Sequence, residues 1–225
     1  MTRLSSAAAY RLWASSWDTS TTPIVDLEES YLSDWLQNLN GKFFLDIGCG
    51  TGRWMSHAAR EGARVFGFDL SVEMLQQAVR KPGLRGRTAV ATMARLPLTP
   101  ECADVVLCAL ALGHCRDAIT VFEQLLALPR RGGRLIISDF HPNAIRNGWK
   151  RTFMFGRETL EVESYPYSIE ALIQVAESAG YRLEQLLELS FGPKQEQIFV
   201  DAGRPDLLAR VRNLPAVVLL ALRRL

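Results

Sequence analysis

Residues 44–54 read FLDIGCGTGRW and place three glycines, Gly48, Gly50 and Gly52, directly after a run of apolar residues. A buried strand followed by a glycine turn and a helix brings backbone N–H groups to the carboxyl edge of a sheet, where open α/β folds bind ligands. The dinucleotide fingerprint has a third small residue, but Arg53 occupies that position here. No Walker lysine follows the glycines. The loop is therefore either a plain tight turn or a binding turn for a ligand that carries no phosphate.

Strand-like and helix-like segments alternate around this loop. Four apolar runs are typical of parallel strands buried on both faces: KFFLDIG, ARVFGFDL, ADVVLCALAL and GRLIISDF. Apolar residues recur at helical spacing between these runs. The alternation from about residue 42 to 140 predicts an α/β, doubly wound, mostly parallel sheet with helices on both faces. Two later runs, YRLEQLLELSF and PAVVLLALRR, predict an antiparallel edge strand.

Composition and charge exclude several classes of protein. Hydrophobic residues make up 48% of the 225 residues and charged residues 22%, which is typical of globular proteins. The net charge of +2 argues against nucleic acid as a partner. No apolar run approaches the roughly 18 residues of a membrane span, and the N-terminus does not read as a signal peptide. The four cysteines form no CxxC pair and indicate neither disulfides nor a metal centre, so we expect a cytoplasmic protein.

Five segments, in order, resemble motifs of the class I S-adenosylmethionine-dependent methyltransferases. The glycine loop resembles the first motif, and FGFDLSVEML resembles the second. ATMARLPL is similar to the adenine-contacting segment D-A-x-x-L-P-F, ADVVLCALALGHCRD to strand four and its turn, and LLALPRRGGRLIISDF to the approach to strand five. The resemblance implies a seven-stranded Rossmann-like methyltransferase fold, S-adenosyl-L-methionine as cofactor, S-adenosyl-L-homocysteine as product, and a small-molecule acceptor. It also implies a methyltransferase domain over residues 41–225, an N-terminal helical lid over 1–40 and a substrate-cap insertion at about 141–167.

The resemblance assigns roles in cofactor binding. Asp69 would accept the ribose hydroxyls, Asp46 would face the methionine end, and the backbone of Ala109 would lie near the amino group. The other candidates are the three glycines, an adenine slot and two aromatic residues of the lid: Gly48, Gly50, Gly52, Leu70, Met93, Ala94, Tyr10 and Trp13. Thr92 stands where the family usually has an acidic residue for the adenine amine. The structural alternatives are a helix cap for Asp69 and core packing for the aromatic residues.

The acceptor site is expected around the segment after strand five. His141 is a candidate catalytic base or a structural loop residue, and His114 is a candidate substrate contact or helix cap. Arg146, Trp149 and Arg151 combine basic and aromatic side chains, which suits an acceptor that bears a carboxylate or phosphate. An acyl group on an acidic acyl carrier protein would also fit. A solvated charged face is the structural alternative.

Other functions remain open from the sequence. RNA or protein methylation is an alternative, although the chain has no N-P-P-Y or D-P-P-Y signature and no appended RNA-binding module. A catalytically inactive protein that binds S-adenosylmethionine is another. A hydride-transferring dehydrogenase is disfavoured by Arg53.

Overall fold

A seven-stranded sheet runs through the centre of the computed structural model, which describes residues 1–20, 22–212 and 214–225. Its strands, in order across the sheet, are β4 (Thr88–Val90), β3 (Arg64–Asp69), β2 (Phe43–Ile47), β5 (Ala103–Ala109), β6 (Pro129–Phe140), β10 (Val217–Arg224) and β9 (Tyr181–Leu189). All pairs from β4 to β6 are parallel, and β10 runs antiparallel between β6 and β9. The predicted doubly wound, mostly parallel sheet is confirmed, and its antiparallel pair, β10 and β9, lies at one edge.

Helices cover both faces of this sheet. One face packs against α2 (Pro23–Trp35), α3 (Arg53–Arg60), α4 (Val72–Ala78), α8 (Pro193–Asp201) and α9 (Pro205–Val211), and the other packs against α5 (Ala118–Leu126) and α7 (Ile169–Ser178). Strand β10 serves both cores because successive side chains of a strand point to opposite faces. Val217, Leu219 and Ala221 lie in the first core, and the intervening apolar residues lie in the second.

Short polar side chains set where several helices begin. Ser71 Oγ accepts a hydrogen bond from the Met74 N–H at 3.2 Å at the start of α4. Asp117 and Ser168 cap α5 and α7 in the same way. These caps satisfy backbone donors that have no partner within the helix.

The strand order brings the glycine loop to a crevice at the carboxyl edge. From β2 the chain moves outward to β3 and β4, and it then returns to place β5 on the other side of β2. Ligands of open α/β sheets bind where the strand order reverses in this way. The loops after β2 and β5 therefore frame the candidate site.

The N-terminal segment and the insertion after β6 form a second, smaller sheet. Strand β1 (Arg3–Leu4) pairs in parallel with β8 (Glu158–Val162), which pairs antiparallel with β7 (Arg151–Phe155). Helix α1 (Ser6–Trp13) packs on this sheet, and the ring of Trp13 stacks on Phe153 with centroids 4.6 Å apart. The short helix α6 (Pro142–Arg146) precedes the hairpin.

Within the described residues, no helix combines the length and the apolar composition that crossing a bilayer requires.

Candidate functional site

The glycine loop between β2 and α3 is attached to the end of β3. The N–H groups of Gly48 and Cys49 both donate to the carbonyl oxygen of Phe68, at 2.8 and 3.0 Å. The Gly50 N–H donates to Asp69 Oδ2 at 2.8 Å. The loop therefore has a fixed position relative to the carboxylate at the end of β3.

Two glycines of the loop are required by close packing. Gly48 and Gly52 have positive φ angles of 77° and 74°. A Cβ atom would lie 2.7 Å from Ala111 Cβ at Gly48 and 2.7 Å from Leu84 Cδ1 at Gly52. Gly52 thus allows α3 to begin against neighbouring side chains. This packing role differs from the cofactor contact that the resemblance implied for Gly52.

Asp69 uses both carboxylate oxygens to hold backbone groups. Oδ2 accepts from the Gly50 N–H, and Oδ1 accepts from the Ser71 N–H at 2.8 Å. Burial raises the pKa of the Asp69 carboxyl, while hydrogen bonds from the Ser71, Gly50 and Leu70 N–H groups lower it. Since a carboxylate has about four acceptor positions, Asp69 keeps capacity for further donors such as hydroxyl groups.

Asp46 lies in β2, and its side chain is buried. Its Oδ1 atom has no hydrogen-bond partner among the described residues. Burial raises the pKa of Asp46 to about 8; the Asp69 carboxylate also raises it, and the Arg53 guanidinium lowers it. A buried carboxylate with an unused oxygen is costly in the absence of a ligand. The site is suited to a cationic hydrogen-bond donor.

These groups line a cavity of about 210 Å³ at the carboxyl edge of the sheet, which we call the first cavity. The predicted site residues that line it are Tyr10, Asp46, Gly48, Gly50, Asp69, Leu70, Met93, Ala109 and His114. Three predicted cofactor residues, Trp13, Gly52 and Ala94, lie outside its lining. Trp13 packs against the hairpin instead, and the Ala94 N–H donates to Thr92 Oγ1 at 3.3 Å.

The N-terminal segment is bound to the glycine loop by groups that carried no signal in the sequence. Thr51 Oγ1 donates to Asp18 Oδ1 at 2.6 Å, and Lys81 Nζ lies 2.9 Å from Asp18 Oδ2. Trp17 lines the first cavity beside this contact. Asp18 thus contacts Thr51 and Lys81, which lie 33 and 63 positions later in the sequence, and no local pattern predicts such contacts.

Arg53 forms a buried charge network with the second helix. Its guanidinium pairs with Glu28 of α2, which has no exposed surface and also accepts a hydrogen bond from Ser138 Oγ. Arg53, which stands where a dinucleotide-binding loop has its third small residue, thus compensates the charge of a buried carboxylate. Sequence reasoning did not identify Glu28, because a glutamate in an amphipathic helix usually faces solvent.

Tyr10 and His114 form a hydrogen-bonded pair on the wall of the first cavity. Tyr10 Oη lies 2.8 Å from His114 Nε2, and His114 Nδ1 lies 2.9 Å from the Glu163 carbonyl oxygen. Because a carbonyl only accepts, Nδ1 carries the proton and Nε2 accepts from Tyr10. Burial and the nearby Arg151 charge lower the pKa of His114 to about 3, and burial raises that of Tyr10 to about 12. Both side chains are therefore uncharged near neutral pH.

A second cavity, of about 580 Å³, adjoins the first and shares Tyr10, Trp17 and Leu110 with it. Aromatic side chains form much of its wall: Trp13, Phe140, Trp149 and Phe199. The hairpin, α2, α8 and α9 all contribute to this lining. A ligand here would lie beside the first cavity, across these three shared residues.

The basic and aromatic residues predicted for an acceptor do not assemble into one charged pocket. Trp149 and Arg151 line the second cavity, but Arg146 lies outside both cavities and donates to the Tyr167 carbonyl at 2.8 Å. Arg151 is buried in an ion pair with Asp139. Its side chain turns inward because the buried carboxylate needs a counter-charge.

His141, the predicted catalytic base, lies at the start of α6 and away from both cavities. Its ring caps α6, where Nδ1 accepts from the Asn143 N–H at 3.2 Å. Nε2 lies 2.7 Å from Glu188 Oε1. Both ring nitrogens are engaged, and His141 lines neither cavity.

Known proteins resemble this chain along most of its length. Residues 45–137 match the family model described as a methyltransferase domain. The ubiquinone biosynthesis O-methyltransferase of Cupriavidus pinatubonensis is 30% identical over 192 residues, which cover 79% of this chain and 76% of that protein. The chain belongs to the class I S-adenosylmethionine-dependent methyltransferases. This is the family whose first motif the glycine loop resembles.

Two further likenesses define the extent of this relationship. The ubiquinone biosynthesis O-methyltransferase of Pectobacterium carotovorum is 36% identical over 123 residues, which cover 52% of this chain and 51% of that protein. The chain likewise spans about half the length of the ubiquinone biosynthesis O-methyltransferases of Vibrio cholerae, Ralstonia nicotianae and Aeromonas salmonicida. The structure of an S-adenosylmethionine-dependent methyltransferase from Mesorhizobium loti has a TM-score of 0.67 at 22% identity, covering 88% of this chain and 98% of that one. That likeness shows a shared fold.

Proposed function

We propose that the protein binds S-adenosylmethionine in the first cavity and transfers its methyl group to a small-molecule acceptor. The observation that carries this proposal is the buried, unpartnered Oδ1 of Asp46 beside the Asp69 carboxylate. A ligand for this cavity should offer a cationic donor and hydroxyl donors. S-adenosylmethionine offers an ammonium group and two ribose hydroxyls, whereas an ionised pyrophosphate has only acceptor oxygens to offer, and Arg53 stands where a dinucleotide-binding loop has its third small residue.

The residues present fit the parts of this cofactor. Asp46 would hold the ammonium group, with the backbone at Ala109 nearby, and Asp69 would accept the ribose hydroxyls. Leu70 and Met93 would enclose the adenine from its apolar sides. When bound, the cofactor supplies an electrophilic methyl group on its sulfonium.

The protein's contribution to such a transfer is alignment and exclusion of water. Tyr10 and Trp17 lie on the walls of both cavities, so they are placed where acceptor and cofactor would meet. His114 Nε2 accepts the Tyr10 hydroxyl hydrogen, which leaves the Tyr10 oxygen as an uncharged acceptor at this place. We infer that Tyr10, held by His114, orients the acceptor's hydrogen in place of His141 when the acceptor carries one on its reacting atom.

The N-terminal residues 1–40 are proposed as a lid, with the insertion at about 141–167 as the cap of the acceptor site. The contacts Tyr10–His114 and Asp18–Thr51 support the lid, because they join this segment to two residues that line the first cavity. The hairpin supports the cap, because it forms part of the second cavity. We propose the cytoplasm as location, since all four cysteines are free thiols.

A methyl-transfer screen tests this function. The protein is incubated with cofactor labelled in its methyl group and with aromatic alcohols, aromatic acids, an acylated carrier protein, RNA and a protein mixture in separate arms. We expect label in a small-molecule arm and its loss in Asp69→Ala. Label in the carrier, RNA or protein arm alone would show that the acceptor is not a free small molecule. Binding of the cofactor without methyl transfer in any arm would favour an inactive cofactor-binding protein.

A further inference from the structure

Leu110 lies where the two cavities meet, because it lines both the first and the second cavity. Tyr10 and Trp17 also line both cavities, but they belong to the N-terminal segment, the proposed lid. Leu110 instead follows β5 directly and lies at the edge of the central sheet. It therefore forms a part of the junction between the cavities that does not depend on the position of the lid.

The backbone of Leu110 has an unusual conformation that its neighbours hold in place. Its φ angle is 54°, a value that residues with a Cβ atom rarely adopt unless the surrounding structure fixes it. The Leu110 N–H donates to the Ser138 carbonyl oxygen at 2.8 Å, and the Leu110 carbonyl oxygen accepts from Arg151 Nη1 at 2.8 Å. Arg151 is itself held by its buried ion pair with Asp139. Leu110 thus has a fixed position at the junction.

The side chain of Leu110 is buried among other apolar groups. The residue is 7% exposed and belongs to the first core, together with Ile24 and Phe199, which also line the second cavity. Its neighbours in the sequence, Ala109 and Ala111, are small and line the first cavity. The bulky residue of this stretch is therefore the one that stands at the junction.

A methyl group that passes from a cofactor in the first cavity to an acceptor in the second must cross this junction. In an in-line displacement the sulfur, the transferred carbon and the attacking atom lie close to one line, so the side chains at the junction limit the room around the transferred carbon. A side chain that is packed in a core and attached to a fixed backbone cannot easily move aside for a larger group.

We propose that Leu110 is a specificity-determining residue, which limits the group carried by the cofactor's sulfur to about the size of a methyl. This inference rests on the proposed function, because it places S-adenosylmethionine in the first cavity and the acceptor in the second. It concerns the size of the transferred group and makes no assumption about the charge of the acceptor.

Calorimetric titrations with S-adenosylmethionine and with S-adenosylethionine, which carries an ethyl group on the sulfur, test the proposal. We expect the unmodified protein to bind S-adenosylmethionine at least about tenfold more tightly, because one additional methylene that a pocket cannot accommodate has an effect of this order. Leu110→Ala makes room at the junction and should reduce this preference to about threefold or less. S-adenosylhomocysteine, which has no transferable group, should bind the unmodified protein and Leu110→Ala with similar affinity.

Two further variants complete the test. Leu110→Gly serves if Leu110→Ala does not fold, because glycine adopts a positive φ without strain, and it should reduce the preference in the same way. Leu189→Ala is the matched control, since Leu189 is 8% exposed and lies in the same core but lines neither cavity. Leu189→Ala should keep the preference of the unmodified protein.

Three results would overturn the proposal: equal affinities of the unmodified protein for the methyl and ethyl compounds, an unchanged preference in the Leu110 variants, or the same reduction in Leu189→Ala. Binding of S-adenosylmethionine with any of these results would refute the role of Leu110 alone. Absence of binding of all three compounds to the unmodified protein would refute the proposed function too.

Discussion

Asp46 and Asp69 present two carboxylates to one cavity from neighbouring strands. The resemblance to the methyltransferase motifs predicts both residues as cofactor ligands. It does not predict how their oxygens are used: Asp69 also holds the loop through the Gly50 N–H, and Asp46 keeps an oxygen free. Nor does it predict the Arg53–Glu28 pair, which depends on the packing of separate helices.

At this residue scale, Asp69→Ala should weaken cofactor binding by roughly tenfold to a hundredfold, because a hydrogen bond to a charged group contributes about 1.5–3 kcal/mol. The cofactor affinity of Asp69→Asn should lie between those of the unmodified protein and Asp69→Ala, since the amide oxygen still accepts a hydrogen bond. Calorimetric titration with S-adenosylhomocysteine measures the effect, and thermal melting checks that the loop remains folded. An unchanged dissociation constant in Asp69→Ala would show that Asp69 holds the glycine loop in place but does not bind the cofactor.

Asp46 should link cofactor binding to proton release. Its pKa of about 8 means that the carboxyl is mostly protonated at pH 7 in the free protein. A bound ammonium group favours the ionised form, so binding should release a proton at pH 7 and release little well above pH 8. Titrations in buffers of different ionisation enthalpy measure this release, and Asp46→Asn should abolish it. Binding heats that do not depend on the buffer at pH 7 would contradict this role.

The same raised pKa has a consequence for stability. The unfolded carboxyl ionises near pH 3.8, whereas the folded one keeps its proton until about pH 8. The unfolded state therefore binds fewer protons between these values, and this group makes the ligand-free protein less stable as pH rises through that window. Denaturant titrations at several pH values should show that the unfolding free energy of Asp46→Asn declines less with rising pH than that of the unmodified protein.

At the element scale, the strand and helix alternation was predictable because long apolar runs carry a strong local signal. The small sheet was not, because β1 has two residues and pairs with β8 more than 150 positions away. The second cavity depends on that sheet and on α8 and α9, so its apolar character was also hidden. The basic residues were visible in the sequence, but their ion pairs were not.

The N-terminal segment should become more protected when cofactor binds. Residues 8–20 carry Tyr10, Trp17 and Asp18, which contact or line the first cavity. Hydrogen exchange should slow in this range with S-adenosylhomocysteine. Peptides from α7, which does not line the first cavity, should show no change. Equal exchange of residues 8–20 with and without S-adenosylhomocysteine would show that this segment is not a lid.

His141→Ala should lower stability without impairing the site. Loss of the cap at α6 costs about 0.5–2 kcal/mol of unfolding free energy. Cofactor affinity and methyl transfer should stay at the level of the unmodified protein, because His141 lines neither cavity. Denaturant unfolding and the labelled assay measure the two effects. Normal stability with lost transfer would restore His141 as a catalytic candidate.

For the whole molecule, two adjoining cavities lie at the carboxyl edge of one sheet. The first combines carboxylates, glycines and apolar side chains, and the second is larger and has both aromatic and aliphatic side chains in its wall. The family and the fold could be predicted from the sequence because the loop and strand motifs are local. The acceptor could not, because the second cavity, where we propose that it binds, is lined by segments far apart in the sequence: the N-terminal helices, the insertion after β6, and α8 and α9.

The binding of S-adenosylmethionine in the first cavity is tested by calorimetric titration of the unmodified protein with this cofactor, with NAD in a parallel titration. We expect saturable binding of S-adenosylmethionine at one site per chain and no heat with NAD, because Arg53 occupies the position of the third small residue of a dinucleotide-binding loop. No binding of S-adenosylmethionine, or binding of NAD with equal or greater affinity, would contradict it.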